Sequence, residues 1–168
     1  MVNGQNKKQI DGVIDEFSKV YKNRLPKVHQ AIAILFLTFA LLGLVWCIPF
    51  PHLSFLGQYN GFINWASFLI SFSVYYYYKI SPVLSYGILL VVFAFSAGIV
   101  GLEKLHTSGI CPHPALLCFI LFTVGSAVYF SEKGKENFKP TIAGYCRFVL
   151  NGPLWLMYSV FSYFGFRA

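Results

Sequence analysis

The sequence predicts an all-α integral membrane protein: a compact bundle of four to five transmembrane helices behind an N-terminal amphipathic helix. Three observations carry this. Of 168 residues, 57% are hydrophobic and only 11% charged, against a charged share of roughly 25% in soluble domains. Several apolar runs approach the ~20 residues that cross ~30 Å of hydrocarbon. The positive charge is concentrated at two places along the chain, as the positive-inside tendency requires of a multi-span protein.

Five apolar segments follow one another. The first, 31–50, carries no charge and ends at Pro49 and Pro51, which stop a helix from continuing. The second, 62–78, closes on Tyr75, Tyr76, Tyr77 and Tyr78 before Lys79, which reads as an interfacial belt. The third runs over 82–102 and opens on Pro82, a favoured first-turn residue. The fourth lies in 111–130 and is expected to begin near Ala115, because Pro112 and Pro114 disfavour helix before it. The last, 148–166, is interrupted by Asn151, Gly152 and Pro153, which leaves spanning, kinking and lying in the interface open. Ala94, Gly98 and Gly101 form a small-residue pattern suited to close helix approach.

Residues 1–28 are set apart as a cytoplasmic amphipathic helix, and 29–168 as the bundle. Ile10, Val13, Ile14, Phe17, Val20 and Tyr21 recur at helical spacing among charged neighbours, which suits a helix lying on the membrane or packed under the bundle. This stretch lacks the short basic and apolar pattern of a cleavable signal, so the mature chain is expected to begin near Met1.

Charge sets the orientation. Six of the 13 Lys and Arg residues precede the first span, and Lys133, Lys135, Lys139 and Arg147 lie between the fourth and fifth segments. Both regions, the N-terminus and 131–147, are therefore expected on the cytoplasmic side of a bacterial inner membrane or the endoplasmic reticulum. Anionic lipid accounts for the net charge of +7 without nucleic acid. Four crossings then bring His29, before the first span, and Glu132, after the fourth, to the same surface. An imidazole and a carboxylate suit non-haem iron. His52, His106 and His113 fall on the opposite side; solvated loop positions are their simpler reading, a metal cluster with Glu103 or Cys111 the alternative. Cys47 and Cys111 share that side and would pair in an oxidising compartment. The four cysteines show no zinc-finger spacing.

Landmarks along the chain carry a family resemblance: His29 opening the first span, "LLGLVWCIPFP" at its end, "NWASFL", "SPVLSYGILL", the spacing of Glu136 and Pro140, and "GPLWL" at 152–156. In this order they resemble the yeast-type 2-hydroxy fatty acid dioxygenases, small multi-span membrane proteins formerly described as a domain of unknown function. The resemblance implies an Fe(II)-dependent dioxygenase that shortens a 2-hydroxy fatty acid by one carbon. His29 and Glu132 would be metal ligands, with Glu136 supporting them. The chain departs from the family where the chemistry lies. Relatives carry a His-x-Asn-Pro segment nine residues before the histidine matched by His29; here Val20 and Tyr21 stand at that place. Relatives carry Gly-His where this chain has Ser131 and Glu132. Two readings follow: an oxygenase with a reduced ligand set, or a catalytically degenerate relative that binds lipid or acts as a scaffold. The partners expected are membrane lipid and a fatty-acid-like small molecule. A transporter or channel is less well supported, because the apolar segments contain no charged residue of the kind that marks an ion path.

Overall fold

The computed structural model describes residues 11, 12, 14, 15, 27–51, 63–130 and 141–163, and its regular elements are all helices. They are α1 (Lys27–Trp46), α2 (Trp65–Ile80), α3 (Pro82–Thr107), α4 (Pro114–Phe130) and α5 (Ile142–Tyr163). From the predicted amphipathic stretch, Ile14 is buried in the core with Leu42, Leu84 and Leu154, while Asp11 and Asp15 are exposed. The α1 and α3 helices are long and apolar enough to cross a membrane, and α4 is a shorter apolar helix.

Local chemistry sets the helix ends. Asn64 caps α2: its side-chain oxygen accepts from the Ser67 N–H at 2.9 Å, and the Ser67 hydroxyl accepts from the Asn64 N–H at 3.4 Å. Ser81 alone separates α2 from α3. Its extended backbone donates to the Tyr77 carbonyl at 2.8 Å while its hydroxyl accepts from the Leu84 N–H at 3.4 Å, so one residue ends one helix and starts the next. The α3 helix does not stop at residue 102. It runs to Thr107, and Gly109, at φ 74°, turns the chain after it. Glu103 and Lys104 are consequently helical, so the longest apolar helix does carry charge.

Antiparallel packing of α1 and α4 forms the spine. Gly43 lies against Cys118 near one end, and Gly125 lies against Leu37 and the Ala33 carbonyl near the other. A β-carbon at Gly43 would collide with the Cys118 sulfur, and one at Gly125 would stand 2.7 Å from Leu37 Cγ. The close approach therefore falls on different residues from those expected: Ala94 is exposed and Gly101 has open space beside it, although Gly98 does face Phe39. A repeat of small residues does not specify which side of a helix meets a neighbour. Phe39 also meets Phe95 edge to face at 5.3 Å, and Trp46 meets Glu103, which sets α3 parallel to α1. One end of the bundle, here the Lys27 end, thus gathers the start of α1, the α2–α3 junction and the end of α4. The Trp46 end gathers the opposite termini.

The α5 helix crosses this arrangement instead of running along it. Tyr145 meets Ser126 of α4, Gly152 meets Ile34 of α1, the Leu150 carbonyl accepts from Tyr77 of α2, and Met157 and Phe161 meet Gly87 of α3. All four neighbours belong to the Lys27 half of their helices. Pro153 lies inside α5 and cannot supply an N–H to the Val149 carbonyl, which loosens that turn. The Tyr77 hydroxyl donates to the adjacent Leu150 carbonyl at 2.7 Å, and Tyr76 donates to Asn151 Oδ1 at 3.3 Å. The tyrosine run divides accordingly. Tyr75 and Tyr78 are exposed, as a belt requires, whereas Tyr77 is buried and Tyr76 half-buried against α5.

Candidate functional site

A cleft of about 310 Å³ opens between α2 and α4, over α1 and α3 and closed by α5. Leu41, Leu42, Leu69, Ile70, Phe122 and Val149 give it an apolar lining, and among the described residues no charged side chain lines it. The α5 helix reaches α2 through the Tyr77 bond while its first turn leans on α4, and among the described residues the space between them is unfilled.

Four hydroxyl groups interrupt the apolar wall: Thr38, Ser73, Tyr77 and Tyr145. Thr38 donates to the Ile34 carbonyl at 2.7 Å, Tyr77 is committed to Leu150, and Tyr145 shares a 2.7 Å hydrogen bond with Ser126. The Cys146 thiol stands at the exposed margin. Such a lining can hold a chain of methylenes and meet one or two polar atoms. Among the described lining residues there is no His, Asp, Glu or Lys to serve as an acid or base.

The residues expected from the sequence lie elsewhere. His29 is on the first turn of α1 with its side chain exposed, and the neighbouring Gln30 is buried. Glu132, Glu136, Val20, Tyr21 and His52 are outside the described residues. The end of α4 does return to the Lys27 end, as the convergence of His29 with residue 132 requires.

At the Trp46 end a wider, open cup of about 510 Å³ is lined by Trp46, Phe50, Asn64, Glu103, His106 and His113, among others. Its polar groups are already engaged. Trp46 Nε1 donates to Glu103 Oε1 at 3.1 Å. His106 Nδ1 lies 3.0 Å from the Cys111 carbonyl, so this nitrogen carries the proton, and the two imidazole rings meet edge to face at 5.1 Å. His113 Nδ1 accepts from the Ala115 N–H at 3.2 Å, which caps the start of α4. Cys47 and Cys111 are free thiols, not a bridge. Just past the end of α1, burial and secondarily the Glu103 carboxylate hold the Cys47 thiol above its usual range.

Among the described residues, no group of three His, Cys, Asp or Glu side chains is placed to hold a metal ion. Of the residues that the family resemblance implies around iron, only His29 is among the described ones, and no catalytic step is derived through iron. Comparison with protein-family models, with curated proteins and with solved structures returns no match.

The residues that shape the cleft escaped sequence reasoning. Leu69 and Ile70 are of the same type as core residues. One signal was Ser126 next to Gly125: the Thr123 hydroxyl in the same helix bonds back to Phe119 and Ile120, whereas Ser126 takes its partner, Tyr145, from another helix.

Proposed function

We propose that this chain is an integral membrane protein in which α1 to α4 cross the bilayer, α5 lies across their cytoplasmic end, and the cleft between α2 and α4 holds an acyl chain of a lipid. The observation that carries the reading is the cleft itself, apolar, without a charged side chain among its described lining residues and bordered by a few hydroxyls, which matches lipid hydrocarbon better than a soluble metabolite. Outward-facing side chains support the membrane placement. Phe72, Leu90, Phe93 and Phe119 are each more than half exposed, and only 22% of the apolar window in α3 is buried within the bundle. A core helix of a soluble protein would bury most of it. Ten basic residues flank the termini that meet at the Lys27 end, in favour of that end being cytoplasmic.

The test is saturable binding of isotopically labelled palmitic acid to the purified chain, followed with Leu69→Trp, which fills the cleft. Binding to the parent and a loss of about tenfold or more in the variant are expected, with helicity and size distribution unchanged. Equal binding by both proteins would remove the cleft as the site.

The oxygenase reading has a separate test. Iron near one equivalent in the anaerobically reconstituted protein, lowered by both His29→Ala and Glu132→Ala, would replace the binding reading with a catalytic one.

A further inference from the structure

Phe122 and Tyr145 line not one hollow but two. On one side lies the cleft; on the other, an open groove of about 510 Å³ runs along the outer face of α4, past Phe119, Thr123, Ala127 and Phe130. Both hollows are bounded by this pair of aromatic rings. The ridge is held in place. The Tyr145 ring meets Tyr129 edge to face at 5.1 Å and stacks on Phe130 at 5.7 Å, and its hydroxyl is bonded to Ser126.

We infer that the ligand is a two-chain lipid that straddles this ridge, with one acyl chain in the α2–α4 cleft, the other in the outer groove of α4, and the carbonyl near the chain junction beside Tyr145 and Ser126. This rests on the lipid-binding reading above and narrows it to a ligand class. The two hydroxyls bring two protons and use one between themselves, so among the described residues one O–H is left to donate at the crest. A single chain bent over the ridge would lay methylenes against that donor and leave it unpaired. A two-chain lipid instead presents an ester or amide carbonyl, an acceptor, where its chains meet. A hydrogen bond there also fixes the depth of both chains.

The experiment compares lipids on the full chain purified in detergent, by displacement of labelled dipalmitoyl phosphatidylcholine. The competitors are unlabelled dipalmitoyl phosphatidylcholine, its one-chain lyso form, palmitic acid and N-palmitoyl sphingosine. The two-chain lipids are expected to bind about tenfold more tightly than the one-chain lipids, and the ranking of phosphatidylcholine against N-palmitoyl sphingosine tells a glycerol ester from a sphingoid amide. Ala127→Trp, which fills only the outer groove, should bring two-chain binding down to the lyso level and leave lyso binding unchanged. Thr123→Phe serves the same purpose if that variant is not monodisperse. Tyr145→Phe combined with Ser126→Ala keeps the ring, removes both hydroxyls and should narrow the two-chain preference to about threefold or less, whereas Tyr145→Phe alone leaves the Ser126 O–H to donate. If lyso and two-chain forms bind alike, or if Ala127→Trp weakens both equally, the straddling arrangement is wrong while the cleft still binds a chain. If no lipid binds saturably, both the inference and the function beneath it fall.

Discussion

The two ends of the bundle use their polar groups differently. At the Trp46 end lie Glu103, His106, His113 and two thiols, the residue types that draw attention in a sequence, yet the described bonds of the two histidines stay within the α3–α4 turn and Glu103 meets Trp46. At the Lys27 end neutral hydroxyls, amides and carbonyls link helices that are distant in sequence: Tyr77 to α5, Tyr76 to Asn151, Ser126 to Tyr145. Titratable side chains mark where the helices stop. The weaker, neutral groups mark where α5 is positioned and where the cleft is formed. In an apolar surrounding even a neutral hydroxyl must be paired, so its partner is a structural determinant.

The sharpest way to break this comparison is to ask whether the two ends face different compartments. In a background without native cysteines, Gln5→Cys and Asn137→Cys should both resist an impermeant thiol reagent in intact cells, while a lone Cys111 should react. The outcome is all or none. Protection of only one of the two positions proposed to be cytoplasmic would end the four-crossing arrangement and separate His29 from Glu132.

Next in size is the spine shared by both ends. Gly125→Leu adds a side chain where a β-carbon already comes within 2.7 Å of Leu37 and 3.3 Å of the Ala33 carbonyl. The backbone cannot yield as a flexible side chain can, so a destabilisation of about 3 kcal/mol is expected from overpacking. It should be read as a lowered midpoint of thermal unfolding, with lipid binding lost because the cleft floor moves. The same substitution at Gly101, where nothing lies within 4 Å, should leave the midpoint nearly unchanged.

The helices were legible because apolar length, prolines and a few caps are local properties. The second segment ended two residues later than expected, at Ile80, since Ser81 and not the Lys79 charge stops it. The third overran by five residues for the same reason, with Gly109 as the stop. The crossing of α5 was only half legible. Asn151, Gly152 and Pro153 announced an irregular helix, but Gly152 against Ile34 and Leu150 against Tyr77 depend on which faces meet. The cleft was not legible at all, because an unfilled space lined by leucine and isoleucine has the composition of a filled one.

Hydrogen bonds separate the two ends by smaller amounts. Trp46→Phe removes the indole donor to Glu103 and leaves a half-buried carboxylate without that bond. A bond to a charged group contributes roughly 1.5–3 kcal/mol, so a loss near the lower figure is expected at this partly open site. Because neither Trp46 nor Glu103 lines the cleft, palmitic acid binding should be unaffected. A fall in binding equal to that of a Lys27-end variant would show that the ends are not separable.

The smallest effects test whether the tyrosine run is divided as the structure divides it. Tyr77→Phe removes a 2.7 Å bond to a carbonyl in the turn that Pro153 loosens, inside an apolar surrounding, and should cost about 1 kcal/mol. Tyr76→Phe removes a 3.3 Å bond to the Asn151 side chain, which can turn to another partner, and should cost about half as much. Tyr75→Phe and Tyr78→Phe alter exposed rings and should fall within the error of the unfolding measurement. The order matters more than the sizes, since an interfacial belt would give four similar values. Tyr77→Phe should also weaken palmitic acid binding by a few fold, because α5 is then free to lean into the cleft that its tether to α2 keeps open. If all four variants behave alike, Tyr77 does not hold α5, and the origin assigned to the cleft is wrong.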